Sequence, residues 1–421
     1  MDIRQKTREM KLVATEMASA PVETRNRALK RAVELLRENR AEVFEANRKD
    51  MAAAEEAGLS DAVRKRLKFD EAKLADVCAG IDRLIELDDP IGIVELEREL
   101  DEGLVLKRIS VPIGVLGVIF EARPDALVQI ASLCIKSGNC AVLKGGSETR
   151  RTNEALFALM KQAAEEGGLP EGVLLQADTH SEIDALLECD DAVDLIIPRG
   201  SNAFVRYIMD HTSIPVMGHA DGICHIYVDK AADPDKVIPV VLDAKLQYTA
   251  ACNATETLLV DRQYPADERE KLIRALKEAH IGIHSEEPGY APLGEDGYAH
   301  EYLEPVLSLR LVDGVREAVA HINRYGSHHT DAILTEDEKA ADYFLAMVDS
   351  AGVYHNASTR FSDGFRYGFG AEVGISTGKL HARGPVGLFG LCTYKYVLSG
   401  KGHIVGDYAD GTRQFHFRDL R

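Results

Sequence analysis

From Gly114 onward the chain alternates short apolar runs with amphipathic stretches, and this alternation most limits what it can fold into. Residues 115–120, 141–143, 173–175, 193–197 and 214–217 read as strands, because each is a short apolar run bounded by turn residues. Between them, residues 124–136, 148–166, 181–187 and 202–211 carry apolar side chains at helical spacing. Buried strands joined by helices require crossover connections, so the expected core is a parallel sheet covered on both faces. Sheets of this kind bind ligands at the carboxyl ends of their strands. A second α/β pattern runs from His225 to about Thr393.

The flanks read differently. Residues 1 to about 90 are helical: Leu29, Ala32, Val33 and Leu36 share one face, and residues 41–56 form a further helix. Gly58-Leu59-Ser60-Asp61 stops that helix and caps the next. Residues 95–111 suit a hairpin turning at Asp101-Glu102-Gly103. The polar and aromatic tail from Gly402 cannot form a core of its own, and is expected to pair with that hairpin or with another subunit.

A chain of 421 residues exceeds one ordinary core, so two or three domains are expected. The formal charge of −19 speaks against nucleic acid, and no apolar run is long enough to span a membrane. The start, Met1-Asp2-Ile3-Arg4-Gln5-Lys6, is charged and followed by no apolar signal core, so a cytoplasmic protein is expected. Seven scattered cysteines without a Cys-x-x-Cys pair argue against a disulfide framework or a zinc site. His219, His225, His328 and His329 also lack ligand spacing, so no metal is expected, although proton transfer stays open to them.

Cys252 stands in Gln247-Tyr248-Thr249-Ala250-Ala251-Cys252-Asn253-Ala254, a small-residue turn between an amphipathic segment (235–246) and a β-rich run (257–260). A thiol there can face a cleft and act as a nucleophile, or it can be a small buried hydrophobe. At the end of the second strand, Lys144-Gly145-Gly146-Ser147 offers a cation, two glycines and a helix-capping hydroxyl. Arg199-Gly200-Ser201 repeats the arrangement at the end of the fourth. Two such turns on one parallel sheet favour a phosphate-bearing cofactor, though no Gly-x-Gly-x-x-Gly fingerprint is present. The glycine-dense segments 368–370 and 384–390 lack the strand-then-helix context, so close packing is expected of them. Late in the chain Arg360, Arg366, Lys379, Arg383 and Lys395 suit a carboxylate or phosphate pocket, or simple pairing with surface acids.

Several segments are distinctive together: Phe120-Glu121-Ala122-Arg123-Pro124-Asp125, Leu143-Lys144-Gly145-Gly146, Ile197-Pro198-Arg199-Gly200-Ser201 and Ala251-Cys252-Asn253-Ala254-Thr255-Glu256. Ile322-Asn323-Arg324-Tyr325-Gly326-Ser327-His328-His329 and Thr377-Gly378-Lys379-Leu380-His381-Ala382-Arg383-Gly384-Pro385 continue the series. In this order, over nearly the whole chain, the sequence resembles the γ-glutamyl phosphate reductase (glutamate-5-semialdehyde dehydrogenase) family, a proline-biosynthesis branch of the aldehyde dehydrogenase superfamily. The resemblance implies an aldehyde dehydrogenase-like α/β fold with two doubly wound domains and a small β oligomerisation arm. Residues 1–94 and 112–224 would form the NADPH-binding domain, 225–397 the catalytic domain, and 95–111 with 398–421 the arm.

The same resemblance implies NADPH-dependent reduction of L-glutamyl 5-phosphate to L-glutamate 5-semialdehyde, with phosphate released through a Cys252 thioester. Another acyl phosphate or acyl-CoA reductase of the superfamily is the alternative, and a silent paralogue acting in binding or assembly is the alternative from another class. Carried over, Cys252 is the nucleophile, and Lys144, with Gly145 and Ser147, meets the adenosine ribose or its 2′-phosphate. Arg199, Gly200 and Ser201 approach the pyrophosphate, and Glu301 holds the nicotinamide ribose. Arg123, Arg360, Lys379 and Arg383 are the substrate-binding candidates. Ala122 falls where related enzymes place an oxyanion-binding asparagine, and His219 where they place a water-activating glutamate. A homo-oligomer is implied, as is a glutamate 5-kinase on a separate chain, since no kinase domain precedes this one.

Overall fold

The computed structural model describes residues 2–121, 123–219 and 221–421. Helices α1 (Ile3–Ser19), α2 (Val22–Glu38), α3 (Arg40–Glu56), α4 (Asp61–Leu67) and α5 (Glu71–Glu86) come first. The side chains of Asp2, Ser60 and Asp70 accept from the N–H groups of Gln5, Val63 and Lys73, satisfying donors the first helical turn leaves free. Strands β1 (Val94–Asp101) and β2 (Leu104–Pro112) make the expected hairpin.

The alternating region follows: β3 (Val115–Phe120), α6 (Pro124–Lys136), β4 (Cys140–Lys144), α7 (Arg150–Glu166), β5 (Leu174–Ala177), α8 (His180–Leu187), β6 (Leu195–Arg199) and α9 (Asn202–Asp210). Its strands form a parallel sheet in the order β5-β4-β3-β6. Every residue of β3 and β4 is buried, as their unbroken apolar runs require. Proline opens α6 at its first position, where the missing N–H has no partner to lose. The expected strand at 214–217 is not formed. Only one parallel bridge, Ile196 to Val216, survives there, because Pro215 has no N–H to give a ladder.

The second unit comprises β7 (Cys224–Val228), α10 (Pro234–Leu246), β8 (Thr255–Asp261), α11 (Ala266–Glu278), β9 (Gly282–Ser285), β10 (Val306–Val312), α12 (Val315–Tyr325), β11 (Thr330–Leu334), α13 (Glu338–Met347) and β12 (Gly352–His355). These strands form a second all-parallel sheet, in the order β12-β11-β7-β8-β10-β9, with β7, β8 and β11 wholly buried. A small antiparallel pair, β13 (Gly374–Ser376) and β14 (Gly384–Val386), then returns toward the first unit. Val373, Val386, Leu388 and Leu391 belong to the first unit's core.

Strand β15 (Cys392–Ser399), α14 (Val405–Ala409) and β16 (Arg418–Asp419) end the chain. They complete an antiparallel sheet in the order β15-β2-β1-β16, so the tail does pair with the hairpin. Strand β15 starts at Cys392, inside the span the sequence reading allots to the second α/β unit. Among the described residues no helix is long and apolar enough to cross a membrane.

Candidate active site

Cys252 lies in the turn that carries the chain from α10 into β8. The turn is fastened from several directions. Thr359 Oγ1 donates to the Asn253 carbonyl at 2.7 Å, Asn253 Nδ2 to the Ser362 carbonyl at 2.8 Å, and Cys224 Sγ to the Cys252 carbonyl at 3.3 Å. Gly222 presses against it so closely that a Cβ would sit 2.1 Å from the Cys252 carbonyl oxygen. Cys252 is half-buried whereas the other six cysteines are buried, so this is the thiol a substrate can reach.

The turn lies at the amino edge of its sheet. Gly222 precedes β7, Cys252 precedes β8 and His329 precedes β11. The general expectation of a site at carboxyl ends therefore holds for the first sheet alone. Its carboxyl-end turns, after β3 and β6, meet the amino edge of the second sheet, and the candidate site is the seam between them.

Arg199 and Arg360 both lie close enough to couple electrostatically with a Cys252 thiolate. Burial, and then its neighbour Arg123, push the Arg199 pKa down, while Glu372, Asp125 and Cys252 oppose the shift. Arg360 is buried and fixed by donating from Nε to Gln247 Oε1 at 2.9 Å; burial, then Arg366, lower its pKa. Burial alone would lower the Arg123 pKa, but Asp125, at 2.8 Å, raises it overall. Two arginines near a thiol, Arg360 buried and Arg199 half-buried, suit a substrate bearing more than one negative group.

The two cation–glycine–serine turns have diverged. After β4, Lys144 is buried and donates to the Gly145 carbonyl at 2.7 Å, and burial lowers its pKa against the pull of Glu148, Asp178, Glu121 and Glu182. Ser147 does not cap α7, because the 3₁₀ turn Ser147–Thr149 intervenes and leaves Ser147 exposed. After β6, the Ser201 N–H donates to Glu121 Oε2 at 3.0 Å, and a Cβ on Gly200 would meet that same oxygen at 2.6 Å. The Ser201 hydroxyl makes no cap bond, and Arg199 Nη1 turns away to the Glu372 carbonyl at 3.4 Å.

Glu301 stands where both units meet, accepting from the Gly222 N–H at 3.0 Å and from Asn202 Nδ2. Its loop is anchored by Glu256, which accepts from the Leu303 N–H at 3.4 Å and from Lys245 Nζ at 2.7 Å. Both members of that ion pair are fully buried. Desolvation pushes Glu256 up to about 7 and Lys245 down, so burial outweighs their attraction at either end.

His219, Cys252 and His329 converge, their ligand atoms all lying within 4.8 Å of one another. The sequence expectation of no metal rests on linear spacing, and the fold brings together three residues spread from position 219 to position 329. His219 Nδ1 lies 2.9 Å from the Ile375 carbonyl, and burial lowers the ring's pKa. The Ala122 position lies outside the described residues. Lys379 and Arg383 are drawn to Asp349, at 2.6 and 3.3 Å, and make no described contact with Cys252. Lys395 is on β15, in the antiparallel sheet. Neither Glu121 nor Glu372 is marked as a site residue by sequence pattern alone. Glu121 follows directly on a buried strand in a turn, which was the available signal.

Residues 1–295 match the profile of the aldehyde dehydrogenase family. The chain belongs to that family, as an oxidoreductase class with this seam between two parallel sheets. More particularly, it is 51% identical over 420 residues to a protein of Acetivibrio thermocellus named gamma-glutamyl phosphate reductase, covering 99% of this chain and 97% of the relative. A protein of that name from Pelotomaculum thermopropionicum is 51% identical over 425 residues, covering 100% and 98%. The crystal structure of the Thermotoga maritima gamma-glutamyl phosphate reductase superposes with a TM-score of 0.93 at 35% identity, covering 96% of this chain and 100% of that one. An acetylating aldehyde dehydrogenase of Geobacillus thermoglucosidasius shares the fold at 19% identity, with a TM-score of 0.66.

Proposed function

We propose that the protein reduces L-glutamyl 5-phosphate to L-glutamate 5-semialdehyde with NADPH, through a thioester on Cys252, as a step of cytoplasmic proline biosynthesis. The observation that carries this reading is one accessible thiol set beside half-buried Arg199 and buried Arg360. The names of the full-length relatives support the substrate.

In the forward direction the Cys252 thiolate attacks the acyl carbon. The bond from that carbon to the phosphate oxygen breaks, and inorganic phosphate leaves with the electron pair. Phosphate is a good leaving group, so the demand on the protein is electrostatic. Arg199, Arg360 and Arg123 hold the phosphate and the α-carboxylate, and the Cys252 N–H donates to the developing oxyanion. NADPH, when bound, supplies the hydride that takes the thioester carbon to the aldehyde level. Breaking the carbon–sulfur bond then restores the thiolate.

The residues facing the seam fit a dinucleotide. Lys144 spends one of its three N–H donors on Gly145, leaving two for a ribose hydroxyl or 2′-phosphate. Glu301 is held in place to accept from ribose hydroxyls. At the α9 N-terminus a pyrophosphate requires Glu121 to swing aside. His219 stands beside the thiol, but burial weakens it as a base, which protects the thioester from water.

A homo-oligomer is part of the proposal, supported by the exposed Tyr394, Tyr396 and Leu398 on β15 and by Ile404 and Val405 beyond it. So is a separate kinase that makes the acyl phosphate. The test is NADP⁺ reduction by purified protein given glutamate 5-semialdehyde and either phosphate or coenzyme A. Turnover with phosphate alone is expected. Turnover with coenzyme A alone would make the protein an acyl-CoA reductase.

A further inference from the structure

We propose that His219, Cys252 and His329 form a three-ligand site that captures Zn²⁺ or a comparably soft divalent cation and switches the enzyme off by taking its thiolate. Only the word "off" rests on the function proposed above; the metal site stands on its own geometry.

The ligand atoms lie within 4.8 Å of one another. Zinc bonds of about 2.0–2.3 Å in tetrahedral geometry need ligand separations of about 3.5 Å, which small side-chain rotations can supply. The His219 imidazole is arranged as a metal ligand is. His219 Nδ1 lies 2.9 Å from the Ile375 carbonyl, which cannot donate, so the proton is on Nδ1 and the lone pair on Nε2. His329 is fully buried, its Nδ1 lies 2.9 Å from Thr330 Oγ1, and its Nε2 has no hydrogen-bond partner among the described residues. A buried ring nitrogen left without a partner is costly, and a cation would satisfy it. One sulfur and two nitrogens select zinc, cobalt or cadmium over magnesium or calcium. Glu301 and Glu372 both couple to His219 and offset the nearby Arg199.

Binding is balanced: the metal–sulfur bond forms, the thiol proton leaves to solvent, and no electron is transferred. The fourth position stays open to water or phosphate. Because Cys252 cannot be metal ligand and nucleophile at once, occupancy and turnover exclude each other.

The experiment uses the full-length protein freed of metal and titrated with Co²⁺, then Zn²⁺. One cobalt per chain with a thiolate-to-cobalt absorption band is expected, and zinc should abolish the band by displacement. Cys252→Ser should lose the band. His219→Asn and His329→Asn should each weaken zinc binding, read by chelator competition, roughly 10-fold or more, since even outer partners of metal ligands are worth about 10–100-fold. Circular dichroism checks the folding of each variant, and the wild-type spectrum decides the matter if a variant fails. Zinc should also slow alkylation of Cys252 and inhibit turnover over the same concentration range, reversibly on chelation. No thiolate band in the wild type, or affinities within twofold in the folded histidine variants, would overturn the site. A cobalt band in a protein inactive on the semialdehyde would keep the site and discard the function instead.

Discussion

The turns after β4 and β6 look interchangeable as sequence, each a cation, a glycine and a serine ahead of a helix, yet they have been put to different uses. The Lys144 turn keeps its cation at the strand end, bonded to its own backbone and surrounded by carboxylates. The Arg199 turn has its donor N–H occupied by Glu121, and its cation is directed across the seam toward Glu372 and Cys252. A motif specifies the backbone. The neighbours that reach it from elsewhere decide what its side chain serves. On this account Lys144 belongs to cofactor binding and Arg199 to the chemistry at Cys252.

Variants can break that division. The largest effect belongs to the residue Arg199 is held to serve: Cys252→Ser should keep the fold and cofactor affinity and lose turnover by several orders of magnitude. Retention of more than about a tenth of the activity, a loss below about 1.4 kcal/mol, would deny Cys252 its role. Next, Arg199→Gln should slow both turnover and alkylation of Cys252 by about 10–100-fold, since a charge-assisted contact is worth about 1.5–3 kcal/mol. Its affinity for NADPH should be little changed. Lys144→Ala should do the reverse, weakening NADPH roughly tenfold, and NADH less, with alkylation unaffected. Equal losses for both cofactors would place Lys144 on the ribose hydroxyls. The smallest effect is that of Glu121→Gln, which removes a carboxylate from the α9 N-terminus. It should cost about 0.3–1 kcal/mol of stability, read as a lower unfolding midpoint, and should improve NADPH binding if Glu121 competes with pyrophosphate.

Much of this fold was legible because local and global preferences agree. For β3 and α6 both expected boundaries are the observed ones, since an unbroken apolar strand, a proline at the helix start and Gly138 after its end leave little choice. The run at 214–217 failed for a reason visible in the sequence, Pro215 in its middle. The candidate site was legible only in parts. Cys252 and the two turns could be picked out from local context. That the second sheet presents its amino edge, bringing Gly222, Cys252 and His329 together, depends on strand order, which no local pattern encodes. The partner of Lys379 and Arg383 was hidden likewise. Asp349 lies some thirty residues before them, and nothing in their own segment points to it.

The central claim is that a Cys252 acyl thioester waits for phosphate and not for water. It is tested most directly by mixing the protein with NADP⁺ and glutamate 5-semialdehyde in the absence of phosphate and following NADPH formation. The account predicts a rapid burst of about one NADPH per chain and a mass increase of one glutamyl group on Cys252, then a stall that added phosphate relieves. Undiminished multiple turnovers without phosphate would mean that His219, or another base, hydrolyses the thioester. The protein would then be a hydrolytic aldehyde dehydrogenase.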